Sequence, residues 1–397
     1  MSFPATIPIP EEVLEIARAL EQAGYEAWCV GGALRDALLG HPHADYDFAT
    51  SATPAQVQAL FRRTAAVGEK YGTVGVIDRD RVLHEVTTFR RDVATDGRHA
   101  VVAYGVSLEE DLARRDFTIN AIAYHPLRHE WRDPYGGLAD LERGLVRAVG
   151  LPADRFREDY LRILRALRFA ARLGFAIEPA TWQAAVDASA GLAQLSAERV
   201  RDEWMKGLRT ARQVPELVAL WVQVGAAARW LPELADVPEE RLRRAAAATS
   251  DNRDPILLTV LLVGEAAPTV LRRLRASNAD IERAAALVRG PAGPEGAGER
   301  EVRRWLSVVG GAADDLLAFH ALRAGSDASW MATVASLRER GDPLTRGDLT
   351  VNGKDLQALG ARGPQVGHVL ARLLDRVLDD PSLNQRDTLL ALAREML

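Results

Sequence analysis

The chain has 397 residues, and its 50 Lys and Arg against 55 Asp and Glu give a formal net charge of −5. Because 48% of the residues are hydrophobic, an intrinsically disordered chain is excluded for most of the length. The single cysteine, Cys29, excludes a disulfide framework and a multi-cysteine zinc site. Taken alone, the negative charge argues against a nucleic-acid partner.

The sequence also bears on cellular location. The N-terminal segment lacks the basic and apolar regions of a signal peptide. The strongest apolar run, residues 255–264, is about half as long as a membrane span. We therefore expect a cytoplasmic protein with no membrane partner.

Local patterns over residues 1–145 predict short strands mixed with helices. Residues 10–23 have the periodicity of an amphipathic helix, and residues 27–32 are a short apolar strand that ends in a glycine turn. Thr53 is the predicted cap of a helix that has proline at its first position. Two alternating strands within residues 72–89 are predicted to pair, and the polar residues 91–105 are predicted to form a mobile loop.

From about residue 150 onward, apolar residues recur at helical spacing almost to the C-terminus. The predicted fold class is therefore an α+β N-terminal part with a small mixed sheet, followed by an all-α region. Residues 291–300 are dense in proline and glycine and are the best candidate for a linker.

The first chemical motif combines a glycine turn with paired carboxylates. Gly31 and Gly32 end the buried strand and allow close backbone approach to a ligand, and Arg35 follows one helical turn later. Asp45 and Asp47 are two apart on a strand, so both carboxylates face the same side. Converging carboxylates repel each other unless a cation lies between them, and oxygen ligands favour Mg²⁺. The alternatives are a simple turn and a solvated strand edge.

Glu85 is the second element of the candidate site. It lies on an alternating strand, with Thr87 on the same face, and is a candidate third carboxylate for the metal pair. The alternative is an exposed strand residue without a role. The adjacent His84 points to the opposite face, and we assign no role to it.

Charged residues around Asp116 form the third motif. Arg114 and Arg115 are suited to bidentate contacts with phosphate oxygens. Asp116 and Asn120 are four residues apart, are predicted to share a helical face and are candidates to bind a ribose hydroxyl. The alternative is a surface ion-pair cluster.

The fourth motif is a stripe of charged residues spaced three apart: Asp159, Arg162, Arg165 and Arg168. This spacing drifts slowly around one face of a helix. Three arginines on one stripe repel each other unless a nucleoside triphosphate or the carboxylates of a neighbouring helix compensate their charge. An adjacent Asp and Arg can also present an acceptor and donors to the edge of a base. The helix containing Glu198, Arg199 and Glu203 is a candidate to support the stripe.

These motifs occur in one order along residues 25–210, and the ordered set resembles the class II tRNA nucleotidyltransferases, the CCA-adding enzymes. Related bacterial poly(A) polymerases share much of the set. The C-terminal stretch at residues 347–381 resembles the CCA-adding group, which favours that group over the polymerases. The motifs are GGALRD, DYDFAT, EVTTFR, RRDFTIN, DPYGG, EDYLRILRALRF and SAERVRDE.

The resemblance implies a role for each candidate residue. Asp45 and Asp47 match the catalytic metal-binding pair, and Glu85 matches the third carboxylate. Two Mg²⁺ ions are expected there. The remaining matches are to nucleotide-binding positions: Gly32 and Arg35 for the triphosphate, Arg115 and Asp116 for the ribose segment, Asp159 and Arg162 for the base edge of CTP or ATP, and Arg165 and Arg168 for further contacts. Gly31 and Asn120 are further nucleotide-binding candidates from their own motifs.

The resemblance also implies an architecture and partners. We expect a catalytic head over residues 1–145, a nucleotide-selecting helical neck over 146–210, a helical body over 211–290 and a tRNA-binding helical tail over 291–397. The expected substrates are tRNA, CTP and ATP. No DNA partner is expected, and the protein is expected to be a monomer or a homodimer.

Two features bear on the subfamily. Residues 225–290 contain no His-Asp pair, so we predict no phosphohydrolase activity. Residues 91–105 occupy the place of a flexible loop that CC-adding relatives lack, which favours complete CCA addition. An A-adding enzyme would keep this loop, so that alternative stays open. A poly(A) polymerase and a catalytically inert RNA-binding protein are the remaining alternatives.

The net charge of −5 is an average over regions of opposite sign. Within residues 155–172, six arginines stand against Glu158 and Asp159. We therefore expect binding of tRNA to depend on shape and on a localised basic strip.

Overall fold

The computed structural model describes residues 2–41, 46–67, 72–95, 100–248, 253–294, 296–324 and 330–397. Asp45 and the predicted loop centre at residues 96–98 lie outside the described residues. The chain divides into two compact units, Met1–Ala235 and Asp236–Leu397. The predicted boundaries of head, neck, body and tail remain predictions.

The sheet lies in the N-terminal unit. Among the described residues its strand order is β3-β4-β5-β2-β1-β8-β9. These strands are β1 (Ala27–Val30), β2 (Asp47–Thr50), β3 (Thr64–Ala65), β4 (Thr73–Ile77), β5 (Leu83–Thr88), β8 (Ala123–His125) and β9 (Glu130–Arg132). Two smaller ladders pair β6 (Arg90–Thr95) with β7 (Ala100–Tyr104) and β10 (Leu145–Val146) with β11 (Ala176–Ile177).

Helices pack against this sheet and form most of the remainder of the unit. They are α1 (Glu11–Gln22), α2 (Gly32–Leu38), α3 (Pro54–Leu60), α4 (Leu108–Ala113), α5 (Gly137–Arg143), α6 (Pro152–Glu158), α7 (Leu161–Leu173), α8 (Pro179–Asp187), α9 (Ala197–Thr210), α10 (Val214–Gln223) and α11 (Ala226–Trp230). Helix α1 packs Val13, Ile16 and Leu20 into the core against the sheet. The predicted α+β class is confirmed.

The local predictions agree well with these elements. Helix α3 begins after Thr53, whose side chain accepts from the backbone N–H of Gln56 in a capping box. Strands β4 and β5 pair antiparallel, as their alternation predicts. His84 and Val86 are buried whereas Glu85 is exposed, because successive side chains of a strand point to opposite faces.

Residues 91–105 differ from the prediction. Arg90–Thr95 and Ala100–Tyr104 form an antiparallel ladder where a loop was expected. The physical reason is the run of β-branched and aromatic residues, including Val101, Val102 and Tyr104, which favours strand pairing over the polar composition around it.

The C-terminal unit is helical throughout its described residues. Its helices are α12 (Glu239–Ala246), α13 (Pro255–Val263), α14 (Ala267–Arg273), α15 (Asn278–Arg289), α16 (Glu299–Val309), α17 (Ala313–Ala324), α18 (Trp330–Arg340), α19 (Gly353–Ala358), α20 (Pro364–Asp379) and α21 (Arg386–Met396). The predicted linker at 291–300 covers most of the segment between α15 and α16 and overlaps the first two residues of α16.

One stretch among the described residues, Pro255–Arg273, is long and apolar enough by length and composition to cross a membrane. Within the fold, 61% of its most apolar window is buried, and every residue of α13 is enclosed by neighbouring helices. Such burial is typical of a core helix.

Candidate functional site

The candidate site begins at the start of β2, where Asp47 opens the strand opposite Val30 of β1. Strand β2 also pairs with β5 in parallel, with Phe48 beside Val86. One residue earlier on each strand, Asp47 and Glu85 therefore lie side by side on the face opposite the buried pair. Asp47 is half-buried and Glu85 is exposed. Two predicted site carboxylates thus share one open face of the sheet.

Gly31 leaves space next to this carboxylate. It follows β1 with φ +83°, a backbone conformation that residues other than glycine rarely adopt. A Cβ at this position would lie 3.3 Å from Asp47 Oδ2 and 3.9 Å from Arg115 Nη1. The structure therefore brings Gly31, Asp47 and Arg115 together, as the sequence predicts, although these residues are up to 84 positions apart.

Arg35 differs from its predicted setting. Its guanidinium group is buried, with 1% of the side chain exposed. Nε donates to Asp36 Oδ1 at 2.8 Å and Nη1 donates to Asn120 Oδ1 at 2.8 Å. Burial lowers the pKa of Arg35, although Asp36 opposes this effect. Arg35 therefore holds Asn120 in place and has no open surface toward a triphosphate in this structure.

Asp116 and Asn120 are in contact, but no helical face brings them together. Asn120 lies in the short 3₁₀ helix Thr118–Asn120, and Asp116 precedes that helix in a bend of the chain. Asn120 Nδ2 donates to Asp116 Oδ1 at 3.0 Å, while Arg165 Nε donates to Asp116 Oδ2 at 2.7 Å. A continuous chain of hydrogen bonds thus joins Arg35, Asn120, Asp116 and Arg165.

Electrostatics favours the ionised form of Asp116. Burial alone would raise the pKa of this carboxyl, but the charge of Arg165 and the hydrogen bonds from Asn120 and Arg165 lower the pKa to about 2. Asp116 is therefore a buried anion at neutral pH that orients the guanidinium group of Arg165 on α7.

Asp111 is a residue that the sequence reasoning missed. Its carboxylate is buried and accepts from Arg114 Nη2 at 2.7 Å and from Arg115 Nη2 at 3.2 Å. It also accepts from the backbone N–H of Arg90 at 3.4 Å, at the start of β6. Its position four residues before Arg115, in the first turn of the helix that Ser107 caps, is the sequence signal that could have identified it.

Asp159 does not belong to the arginine helix. It lies between α6 and α7 with φ −155° and ψ 105°, so the predicted four-residue stripe is a three-residue stripe on α7. Asp159 Oδ1 accepts from the N–H of Leu161, the first residue of α7, at 3.0 Å, and Oδ2 accepts from Arg199 Nη2 at 2.7 Å. Its proximity to Arg162 comes from the helix junction.

Arg162 is held by groups from both sides of that junction. Nη1 donates to Glu158 Oε2 at 2.6 Å, and Nη2 donates to the carbonyl of Arg114 at 3.0 Å. The carbonyl of Arg155 accepts a further bond from Nη1 at 3.2 Å. The orientation of Arg162 is therefore determined by α6 and by the segment that carries Arg115.

Helix α9 supports the arginine stripe, as the sequence suggests. Glu203 Oε2 accepts from Arg168 Nε at 2.6 Å, and both groups are nearly enclosed. Arg199 of the same helix binds Asp159. Arg168 is thus directed toward α9 and away from solvent, unlike Arg165, whose side chain is 34% exposed.

Over the described ranges, the structure contains no group of three or more metal-binding side chains. The predicted metal set includes Asp45, which lies outside those ranges. The pair that is described, Asp47 with Glu85, offers oxygen atoms only, the donor type that Mg²⁺ prefers.

Two family models match parts of the chain. A family model described as the poly A polymerase head domain matches residues 27–147. A second model, the probable RNA and SrmB-binding site of polymerase A, matches residues 174–237.

Two relatives match nearly the whole chain and not only parts of it. The chain is 35% identical over 414 residues to the CCA-adding enzyme of Lactiplantibacillus plantarum, covering 99% of this chain and 97% of that one. It is 37% identical over 406 residues to the CCA-adding enzyme of Geobacillus stearothermophilus, covering 96% of each.

The fold is also similar to those of solved structures. The crystal structure of the Bacillus stearothermophilus CCA-adding enzyme in complex with CTP superposes with a TM-score of 0.82 at 36% identity, covering 97% of this chain and 96% of the other. The Thermotoga maritima CCA-adding enzyme complexed with tRNA shares the fold at 19% identity, with a TM-score of 0.66 over 97% and 95% of the two chains. Similarity of sequence over nearly the whole length, together with the arrangement around Asp47, shows that this chain belongs to the family of CCA-adding enzymes.

Proposed function

We propose that this protein adds the 3′-terminal CCA sequence to tRNA from CTP and ATP, without a nucleic-acid template, and releases pyrophosphate. The observation that carries the proposal is the open face on which Asp47 and Glu85 lie side by side, next to Gly31 and Arg115. Similarity to CCA-adding enzymes over 96–99% of the chain supports it.

The residues at this face fit a divalent cation. Gly31 has no Cβ, which leaves space beside the Asp47 carboxylate. A Cβ at this position would lie 3.3 Å from Asp47 Oδ2 and would occupy that space. Asp45 and Asp47 would hold Mg²⁺, with Glu85 as the third carboxylate. When bound, Mg²⁺ would lower the pKa of the tRNA 3′-hydroxyl and stabilise charge on the departing pyrophosphate.

Arginines near this face would bind the rest of the nucleotide. Arg115 lies beside Gly31 and would contact phosphate oxygens, with Asp111 fixing its orientation. Gly31 and Gly32 would allow the triphosphate to approach the backbone closely. Arg165, which is partly exposed, would supply a further contact to the nucleotide.

Several residues predicted to bind the nucleotide would instead position other residues of the site. Asn120 and Asp116 hydrogen-bond to Arg35 and Arg165, so they would set the position of groups near the ribose. Arg35 would act through Asn120, since its own guanidinium is enclosed. Arg168 would act through its ion pair with Glu203.

Asp159 and Arg162 would read the base edge of the incoming nucleotide. An acceptor and donors held side by side can pair with the hydrogen-bonding edge of cytosine or adenine. The many partners of Arg162 support this role because they restrict its orientation. The switch from CTP to ATP is assigned to the residues around 96–98, which lie outside the described residues.

The test is incubation with three tRNAs: one lacking the 3′ end, one ending in C and one ending in CC. Each is supplied with CTP, ATP or both. When both nucleotides are supplied, all three tRNAs are expected to end in a complete CCA sequence. A product that stops at CC would identify a CC-adding enzyme, and extension only from CC would identify an A-adding enzyme.

The same assay separates the remaining alternatives. Long tails made from ATP alone on varied RNAs would identify a poly(A) polymerase. Binding of tRNA without release of pyrophosphate would identify an inert RNA-binding protein. We further propose a cytoplasmic location and a monomeric or homodimeric state, which fractionation and light scattering would test.

A further inference from the structure

Phe169 of α7 lies at the centre of a cluster of guanidinium groups. The Cζ atom of Arg168 is 4.3 Å from the centroid of the ring, that of Arg35 is 5.0 Å away and that of Arg165 is 5.4 Å away. All three distances lie within the range of a cation–π interaction. The ring is 5% exposed, so these contacts are shielded from water.

Each of these arginines also pairs with a carboxylate, and that of Asp36 is shared with Arg172 at 2.5 Å. Arg35 pairs with Asp36 at 2.7 Å, Arg165 with Asp116 at 2.7 Å and Arg168 with Glu203 at 2.6 Å between nitrogen and oxygen. Three positive groups around one ring would repel one another strongly if they were alone. The carboxylates and the negative faces of the ring together compensate this repulsion.

The three arginines differ in their access to solvent. The side chains of Arg35 and Arg168 are 1% and 11% exposed, whereas that of Arg165 is 34% exposed. Asp116 accepts from Nε of Arg165 and contacts its Nη2, and Nη1 has no hydrogen bond within the described parts of the chain. Its greater exposure makes Arg165 the member of the group whose donors a ligand can reach most readily.

The ion pair alone does not determine the plane of Arg165. The Asp116 oxygen contacts one edge of the guanidinium, which leaves rotation about that contact open. A ring beside the planar group restricts this rotation. Phe117 in turn packs edge-on against Phe169, with 5.7 Å between centroids and 80° between planes, so the ring itself is held by the segment that carries Asp116.

We propose that Phe169 is a positioning residue for the nucleotide site, because its ring orients Arg165 so that the free Nη1 group is presented to the incoming nucleotide. This inference rests on the proposed function, in which Arg165 contacts the nucleotide. The aromatic ring, and not only its apolar volume, is the feature that the arginine requires.

The experiment compares Phe169→Leu, which removes the ring, with Phe169→Tyr, which keeps it. Phe175→Leu is the matched control, since Phe175 packs against the same hydrophobic cluster and has no arginine over its ring among the described residues. The KM for CTP, the KM for tRNA and kcat are measured for each. Urea unfolding checks the fold, and Phe169→Met, which fills the space with a flexible apolar chain, replaces Phe169→Leu if that variant does not fold.

Phe169→Leu is expected to raise the KM for CTP about tenfold and to leave the KM for tRNA unchanged. Phe169→Tyr should remain within about twofold of the unaltered protein, and Phe175→Leu should do the same. A purely structural defect would lower the active fraction, and hence kcat, without this selective change in KM.

A double-mutant cycle with Arg165→Gln isolates the contact. In that background, Phe169→Leu should raise the KM for CTP by no more than about twofold, because the interaction has already been removed. Equal changes in KM for Phe169→Leu and Phe175→Leu, or an undiminished effect in the Arg165→Gln background, would overturn the inference.

Calorimetric titration with CTP separates this inference from the proposed function. A protein that binds CTP but adds no nucleotide to tRNA would contradict the proposed function. The affinities of the Phe169 variants for CTP would still test the role of the ring, with the same tenfold weakening expected.

Discussion

Nε of Arg165 donates to Oδ2 of Asp116 at 2.7 Å, across 49 residues of sequence, and both oxygens of this carboxylate have partners. The ion pair joins the helix of the arginine stripe to the segment that follows Arg115. Because Asp116 is buried, its carboxylate needs the charge of Arg165 to stay ionised. The ion pair therefore affects how the free energy of unfolding depends on pH.

Asp116→Asn is predicted to destabilise the protein by about 2 kcal/mol at pH 7. The pKa of Asp116 is about 2 in the folded protein against an ordinary value of 3.8. Since the folded pKa is the lower of the two, ionisation stabilises the fold above about pH 4, and this contribution is lost as the pH falls toward 2. Urea unfolding of both proteins between pH 7 and pH 3 measures the difference, which should narrow below pH 4. A difference that stays constant over this range would contradict the assignment.

Gly31→Ala is predicted to impair catalysis more than folding. The positive φ combined with ψ −146° should cost about 1 to 3 kcal/mol of stability, and the new Cβ would lie 3.3 Å from Asp47 Oδ2 and displace that carboxylate. We expect kcat to fall about ten- to hundredfold. Gly24→Ala is the matched control, because Gly24 has φ +85° and no described atom within 4 Å of a Cβ. Both variants should remain folded, and equal activities would refute the crowding of Asp47.

Asp47→Asn is predicted to lower kcat by about three orders of magnitude while the fold is retained. Removing a metal carboxylate forfeits several kcal/mol of transition-state stabilisation, and about 1.4 kcal/mol corresponds to a factor of ten. Incorporation of CMP into truncated tRNA is the measurement. Glu130→Gln, a partly exposed carboxylate on the edge strand β9 of the same sheet, serves as the control and should retain full activity. Intact incorporation by Asp47→Asn would exclude the metal assignment.

Arg162→Ala is predicted to blur the choice between CTP and ATP more than it weakens binding of tRNA. The variant removes the donors that Glu158 and the carbonyl of Arg114 hold in one orientation. The ratio of kcat/KM for the two nucleotides should change about tenfold, as expected for the loss of one good hydrogen-bonded contact. Arg157→Ala is the control, since Arg157 is exposed on the preceding helix. Equal losses for CTP and ATP would argue against base reading.

Local chemistry could be predicted from the sequence with good accuracy. The cap at Thr53 and the pairing of β4 with β5 depend on neighbouring residues only, and both agree with the structure. The juxtaposition of Gly31 with Asp47 follows from a strand that ends in a glycine turn and pairs with the next strand. The ladder of β6 and β7 was missed because polar composition and strand propensity conflict there.

Contacts between distant segments could not be predicted with the same accuracy. Arg35 was expected at the triphosphate, yet its guanidinium is enclosed by Asp36, Asn120 and Phe169. Asp159 was expected on the helix of Arg162, yet the chain leaves helical geometry at that residue. Burial and helix junctions depend on which elements pack together, and spacing along one chain does not contain that information.

By itself, the sequence determined the residue types and spacings that the chemistry requires: paired aspartates, a glycine turn and an arginine stripe. Those features depend on strand and helix periods, which are local. The tertiary structure decided which of the charges are buried, which carboxylate accompanies each arginine and which guanidinium remains open to a ligand. Electrostatic energy in a protein depends on burial and on distances between charges, and only the packed fold sets both for Arg35, Arg165 and Asp116.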